Sequence, residues 1–407
     1  MLFRSPTKLR QAVTYIVSGL AIAAVLVFAK DCVERTPLGR RLEQHTYTLL
    51  LNALPNFVSE GQSVVVVDIS QFTGGKLDTA TGRLFPTSRA KLKEVLEVLE
   101  TIQPQAIAID VDFSPDRRGW IDSNDEHFFE FCLRLSSKIP VTLGVFRTLR
   151  EPKSAWLGLP KFAPMAGSLY LPTGGLERVP VWVRDPHLAD RLPSIGDRLA
   201  SSWYLVHKDR FETLQPWIHR FSERLASSPV RREGLLIGEV LTNHAGVNQM
   251  FSETIRFTEA KELRRHTEQL RGRMVMLGAV DQATDLYLIP GQEVPRPGVF
   301  VHASGAYTLA SAPVYEFSHG VRLALDFAIS LLVLVAIVVS RSRRNDHEHV
   351  TLVSDEDRAL YFAVSLILVA GFAFVWVARV MWLDFLLVAL SLLLHSAIEK
   401  RLHRRAH

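Results

Sequence analysis

The chain has 407 residues, of which 48% are hydrophobic, and a mean hydropathy of +0.12, enough for one large domain plus membrane helices. Its formal net charge of +5 and pI near 9.2 give no ground for a nucleic-acid partner. The three pieces assigned below to the cytoplasm hold eleven Lys/Arg against six acids, which accounts for the whole excess. In chain order, a basic flank (MLFRSPTKLRQ, residues 1–11) precedes an apolar run at 12–29 that lacks a clean small-x-small cleavage site before Lys30, so an uncleaved anchor is expected. Residues Glu34–Leu54 read as a helix leading away from it. VVVVDIS from Val64 is a short, β-branched apolar run, hence a buried strand. A helix follows, started by Pro86 and Ser88, striped by Leu92, Val95, Leu96 and Leu99, and stopped by Pro104. AIAIDVDF is a second continuous apolar strand. Two such strands joined by a helix imply a parallel pair buried on both faces, a βαβ unit.

Beyond it, Ser123–Ser137 (SNDEHFFEFCLRLSS) reads as a helix with Ser123 as N-cap, and IPVTLGVF as a third buried strand. From Arg147 to Pro193, a Pro-, Gly- and Trp-rich stretch is expected to form loops and short strands over one sheet edge. Ser194–Val206 and Phe211–Ser227 read as helices, LLIGEV and TIRF as short strands, and Glu259–Arg271 as a charged surface helix. MVMLGAV is a buried strand ending at Asp281. PGVFVHASGAYTLAS reads as a helix packed back on the sheet.

Three further apolar segments of spanning length follow, at 321–340, 359–378 and 381–398. Arg4, Lys8 and Arg10, then Arg341, Arg343, Arg344 and Arg358, then Lys400, Arg401, Arg404 and Arg405 flank them. Basic residues favour the inner side, so the loop 341–358 and both ends (1–11 and 399–407) are placed in the cytoplasm and residues 30–320 outside. The expected fold class is therefore α/β: a largely parallel sheet flanked by helices in an extracytoplasmic domain, plus four transmembrane α-helices, one N-terminal and three C-terminal. The corresponding location is a bacterial inner membrane, multi-pass, with a large periplasmic domain.

Four pieces resemble the CHASE type 2 (CHASE2) family of extracytoplasmic sensor domains: VVVVDIS, PTSRAKLKEVLEVLETIQPQAIAIDVDFSP, MVMLGAV with DQATDLYLIP, and PGVFVHASGAYTL. They are spread from Val64 to Leu309. One stretch departs from the family: where an acidic turn usually precedes an Arg, this chain has LPTGGLERVP, keeping Gly175 and Arg178. The resemblance implies a sensor, and it makes Asp68, Asp110, Asp285 and His302 framework positions. Family members pass their signal to a cytoplasmic kinase or cyclase domain, whereas only EKRLHRRAH follows the last span here, too short to fold. A separate effector protein is therefore the expected partner.

Asp68, Asp110, Asp112, Asp281 and Asp285 fall at or just past expected strand ends, where ligands of open α/β sheets bind. With Arg89 and His302 they form the candidate ligand-binding set. Such a rim can hold a divalent cation or a cationic ligand. Alternatively, the acids cap helices, accept backbone N–H bonds, or pair with Arg89 and Arg178. His302 is a ligand or a buried helix histidine. Gly74–Lys76 (GGK) lacks the spacing of a phosphate loop, and DHEH at Asp346–His349 reads as a solvated loop. No nucleophile with a base at a recognisable spacing accompanies the acids, so no catalytic residue and no cofactor is assigned, the metal is left unknown, and no enzymatic activity is expected. Cys32 and Cys132 can pair in an oxidising compartment, or Cys32 can link a homodimer near the membrane, while Cys132 also reads as a buried apolar residue. Arg322 and Asp326, with Arg379 and Asp384, fall near one side of the bilayer and are expected to couple the spans. The function expected is a membrane-anchored sensor for an unknown extracytoplasmic ligand. The alternatives are a structural envelope scaffold and a periplasmic metal-dependent hydrolase.

Overall fold

The computed structural model describes residues 6–34, 36, 64–72, 77–78, 83–84, 87–113, 125–145, 161–171, 178–184, 191–206, 230–232, 235–242, 246–281, 285–289, 292–311, 315–316, 319–344, 362, 364–373, 380–381 and 393. The chain divides into two compact units, one of residues 48–217 and 228–314, the other of 1–47, 218–227 and 315–407. In chain order the helices are α1 (Pro6–Glu34), α2 (Arg89–Ile102), α3 (Asp125–Ser136), α4 (Ile195–Val206), α5 (Val247–Ser252), α6 (Thr267–Leu270), α7 (Gly298–Ser311) and α8 (His319–Arg344). The strands are β1 (Val64–Asp68), β2 (Leu77–Asp78), β3 (Arg83–Leu84), β4 (Ala106–Asp110), β5 (Val141–Val145), β6 (Ala166–Ser168), β7 (Arg178–Arg184), β8 (Leu192–Pro193), β9 (Val230–Arg232), β10 (Leu235–Leu241), β11 (Met274–Gly278), β12 (Leu286–Tyr287), β13 (Arg296–Pro297), β14 (Tyr315–Glu316) and β15 (Val380–Met381).

The larger unit is built on a five-stranded, wholly parallel sheet in the order β1-β11-β4-β5-β6. The βαβ unit of the sequence is present, with one addition. The late strand β11 slots between β1 and β4, so that Asp68, Gly278 and Asp110 share one rung at the carboxyl edge. Alternate residues face opposite sides. Val65, Val67, Ile107, Ile109, Val275 and Leu277 meet Leu92, Leu96 and Leu99 of α2 and Phe128, Phe129 and Leu135 of α3 in one apolar core. The other face carries Ala106, Ala108 and Gly278 among Val64, Val66, Met274 and Met276, and packs against α7 and α4. A Cβ on Gly196 of α4 would lie 3.1 Å from the backbone nitrogen of Ala306 in α7, so the two helices cross nearly backbone to backbone.

Local chemistry accounts for α2. The Ser88 hydroxyl accepts from the Lys91 N–H at 3.4 Å as N-cap. At the other end Gln103 turns left-handed (φ 62°) and its N–H returns to the Leu99 carbonyl before Pro104.

LLIGEV is a strand as expected, within β10, and lies in a separate antiparallel sheet, β8-β7-β10-β9, where Arg178–Arg184 runs beside it. Two expectations are corrected. TIRF forms only a bridge at Ile255 to Val67, capping the edge of β1. Glu259–Arg271 is a 3-10 turn, Ala260–His266, followed by the single turn α6; Leu263 and Leu270 anchor both in the core. The segment expected to cover an edge supplies β6, which extends the parallel sheet. The helices expected at 34–54 and 211–227, and the N-cap at Ser123, lie outside the described residues.

In the smaller unit α1 packs with α8, and β14 pairs in parallel with β15. The runs 12–29 and 321–340 lie within α1 and α8, and residues 364–373 are helical. Among the described residues, however, no helix is long and apolar enough to cross a membrane, so the four expected spans are not supported there. Most of 381–398 lies outside the described residues.

Candidate functional site

Helices after β1 and β4 cover one face of the sheet, whereas the chain leaving β11 continues into α7 on the other. The carboxyl end of β11 is therefore a point where successive connections diverge, which opens a crevice in this class of sheet. Asp68 and Asp110 flank it on the two neighbouring strands.

Asp68 belongs to a turn lock. Its Oδ1 accepts from the Ser70 N–H at 2.8 Å, from the Ser70 hydroxyl, and from the Val280 N–H at 3.4 Å. Ser70 Oγ in turn accepts from the N–H groups of Val280 (2.8 Å) and Asp281 (3.1 Å), and Arg256 Nε lies 3.6 Å from Asp68 Oδ2. These bonds tie the ends of β1 and β11 together. Asp68 thus does what an acid at a strand end commonly does, accepting backbone N–H bonds.

Asp110 sits in a different cluster, which four elements assemble. β4 supplies Asp110; the chain after β11 supplies Asp285; β12 supplies Tyr287; α7 supplies His302. His302 Nε2 lies 3.9 Å from Asp110 Oδ1, with the two side chains only 7% and 11% exposed. Asp285 accepts a hydrogen bond from the Tyr287 hydroxyl, and its carbonyl accepts from the Gly298 N–H at 3.0 Å. Two glycines make room. A Cβ on Gly298 would sit 2.5 Å from Asp285 Oδ2, and one on Gly278 would sit 2.4 Å from Val299 Cγ2 and 3.2 Å from Asp110 Cβ. The first turn of α7 therefore rests directly on the two carboxylates.

Burial, and after it the charge of Asp285, pushes the Asp110 carboxyl up to about 8. Burial pushes the His302 imidazole down to about 4. Both groups are thus neutral near pH 7, and their 3.9 Å contact is not an ion pair. Burial raises Asp285 as well, opposed by the Tyr287 and Gly298 hydrogen bonds. The Tyr287 hydroxyl is pushed up to about 12, first by burial and then by Asp285. The cluster holds a carboxylic acid poised to lose its proton close to physiological pH.

The other candidates fall elsewhere. Asp112 and Asp281 are exposed. Arg89 is buried at the start of α2, its guanidinium 4.4 Å from the Phe113 ring centre and its Nη1 donating to the Thr87 carbonyl at 3.1 Å. Asp326 is buried on α8, one turn before the buried Ser330. The side chain of Arg322, and Arg379 and Asp384 altogether, lie outside the described residues, as do the contacts expected among them. Both cysteines are free, Cys32 exposed and Cys132 buried with its thiol pushed up by burial. Among the described residues no group of three or more His, Cys, Asp or Glu could hold a metal ion.

Tyr287, Ser70 and the two glycines were not singled out from sequence. The alternation DLYLI was a usable signal: Tyr287 and Ile289 turn inward, while Leu286 and Leu288 (63% exposed) turn out.

The buried acid cluster thus stands at the carboxyl edge of a parallel α/β sheet, the edge at which ligands of such sheets bind. The family model described as CHASE2 domain matches residues 19–340, most of the chain, and the chain belongs to this family of extracytoplasmic sensor domains. No curated protein and no solved structure matches it significantly.

Proposed function

We propose that the chain is a membrane-anchored extracytoplasmic sensor that passes the state of its domain to a separate effector protein, without enzymatic activity of its own. The observation that carries this reading is the extent of the family match, which begins inside α1 and ends inside α8, so that domain and flanking helices form one unit of descent. Three features support anchoring. The run 12–29 contains no charged residue. Apolar side chains stand exposed along α1, as at Phe28 (72%), and at Phe362, Leu366 and Val369. The basic flanks of these segments favour the cytoplasmic side. The pairing of β14 with β15 joins residues 380–381 to residues 315–316, just ahead of α8. The effector would bind the loop 341–358 or the tail, and two copies linked near Cys32 are compatible with this arrangement.

A scaffold reading draws on one observation, the apolar surface of Leu286, Leu288 and Val294 beside the cluster, which would suit contact with another envelope protein. Photo-crosslinking in living cells separates the two. A crosslinker at Arg344 or His349 of the full chain should capture a discrete cytoplasmic protein, with a yield that changes in Asp110→Asn. Capture only from positions 286, 288 and 294, and none from the loop, would favour the scaffold and sink the sensor.

A further inference from the structure

We propose that Asp110 and Asp285, packed under the first turn of α7 with Tyr287 and His302, form a proton-operated latch through which the domain reads the acidity of its compartment. This rests on the sensor reading above and names its stimulus. The geometry makes the pair mechanical. Gly298 and Val299, the first residues of α7, lie against Asp285 Oδ2 and against the rung that carries Asp110, and His302 meets Asp110 one turn further on. Whatever happens to the charge of this pair is therefore felt along the seat of α7. From Ser311 the chain needs only seven residues, 312–318, to reach α8.

Among the described residues the nearby cations are engaged with other groups: Arg296 of β13, opposite Tyr287, lies 3.9 Å from the Phe251 ring centre and its Nη2 donates to Asn248 Oδ1 at 3.4 Å. On the shared rung Asp68 is held by Ser70 and Val280, with Arg256 against it. On α4, Arg198 Nε donates to the Ala166 carbonyl at 3.2 Å and sits beside Asp197. Asp112 follows β4 and is exposed. Neither β5 nor α5 brings a titratable side chain, and α7 brings only His302 and Tyr307. With Asp285 ionised, the latch is closed while Asp110 keeps its proton. When that proton leaves to bulk water, two like charges share a site largely closed to solvent, and the positive end of α7 offsets only part of their repulsion. The sign follows from linkage: an acid whose pKa is higher in the closed state favours opening as pH rises, up to its closed-state value of about 8.

Hydrogen exchange of the full-length protein in lipid nanodiscs, followed by mass spectrometry from pH 5.5 to 9.5 and corrected for intrinsic rates, reads this directly. The opening constant of α7 should rise by up to about tenfold per pH unit and level off above about 8. Asp110→Asn should abolish the rise. Asp285→Asn, which keeps Asp110 and removes its charged neighbour, should move the levelling point to lower pH. A flat profile in the unmodified protein, a rise that persists in Asp110→Asn, or an unmoved levelling point in Asp285→Asn each overturns the latch. The last of these decides even if Asp110→Asn fails to fold. A failed latch leaves the loop crosslinks untouched, whereas absent crosslinks with an intact pH profile would remove the sensor reading and leave the latch.

Discussion

Gly278→Leu is expected to leave no folded domain, and Gly278→Ala to destabilise it by about 1–3 kcal/mol or more, the usual penalty of overpacking. The reason is local and steric. A Cβ at this position meets Val299 at two atoms, Cγ2 at 2.4 Å and Cβ at 2.8 Å, and neither belongs to a flexible side-chain end. The clash also lies between Asp110 and the start of α7, so relief by moving the helix would dismantle the acid cluster. Enlarging the room should help: Val299→Ala combined with Gly278→Ala should recover part of the loss, since residues in contact do not contribute additively. Urea denaturation of the full chain, followed by tryptophan emission, measures both. Equal stability of Gly278→Ala and the unmodified protein would contradict the packing described for α7.

Asp110→Asn and His302→Gln should change the dependence of stability on pH in opposite senses. Asp110 is raised from 3.8 to about 8, so the stability linked to it is complete below 3.8 and is lost as pH rises to about 8. His302 is lowered from 6.5 to about 4, so its contribution is complete above 6.5 and is lost as pH falls to about 4. Each unit crossed is worth about 1.4 kcal/mol at most. In the unmodified protein the two slopes oppose one another between about 4 and 6.5; above that the alkaline loss is unopposed, and the raised Asp285 adds to it in the same sense. Asp110→Asn should remove the largest part of the alkaline loss, leaving a variant several kcal/mol more stable than its parent at pH 8 to 9, and should uncover the acid limb. His302→Gln should do the reverse, with stability falling steadily from about pH 4 upward. Curves for both variants running parallel to the parent would mean that neither group titrates as its burial implies.

The parts of the fold that were legible in the sequence are those encoded over short distances. VVVVDIS and AIAIDVDF announce buried parallel strands because they are uninterrupted, and the stripe Leu92–Val95–Leu96–Leu99 with Ser88 before it and Pro104 after it announces α2. The insertion of β11 between β1 and β4 was not legible. Pairing partners separated by more than 160 residues leave no mark in a local pattern, although Asp68 and Asp110 share a rung only through Gly278. The same holds for the assignment of β10 to a second sheet, since LLIGEV reads alike in either. Among the candidate aspartates, position at a strand end did not distinguish their roles. Asp68 has Ser70 two residues on and folds into a turn, whereas Asp110 has α7 above it and stays buried without such partners. The difference comes from which element covers each rim, and that is a tertiary fact.

The compartment of the domain is the most direct test of its proposed role as a membrane-anchored extracytoplasmic sensor. Reporter fusions whose activity depends on compartment, inserted at Gly174 and placed after His407 of the full chain, provide it. The account predicts an outside signal at Gly174 and a cytoplasmic signal after His407; signals from one and the same side at both positions would contradict it.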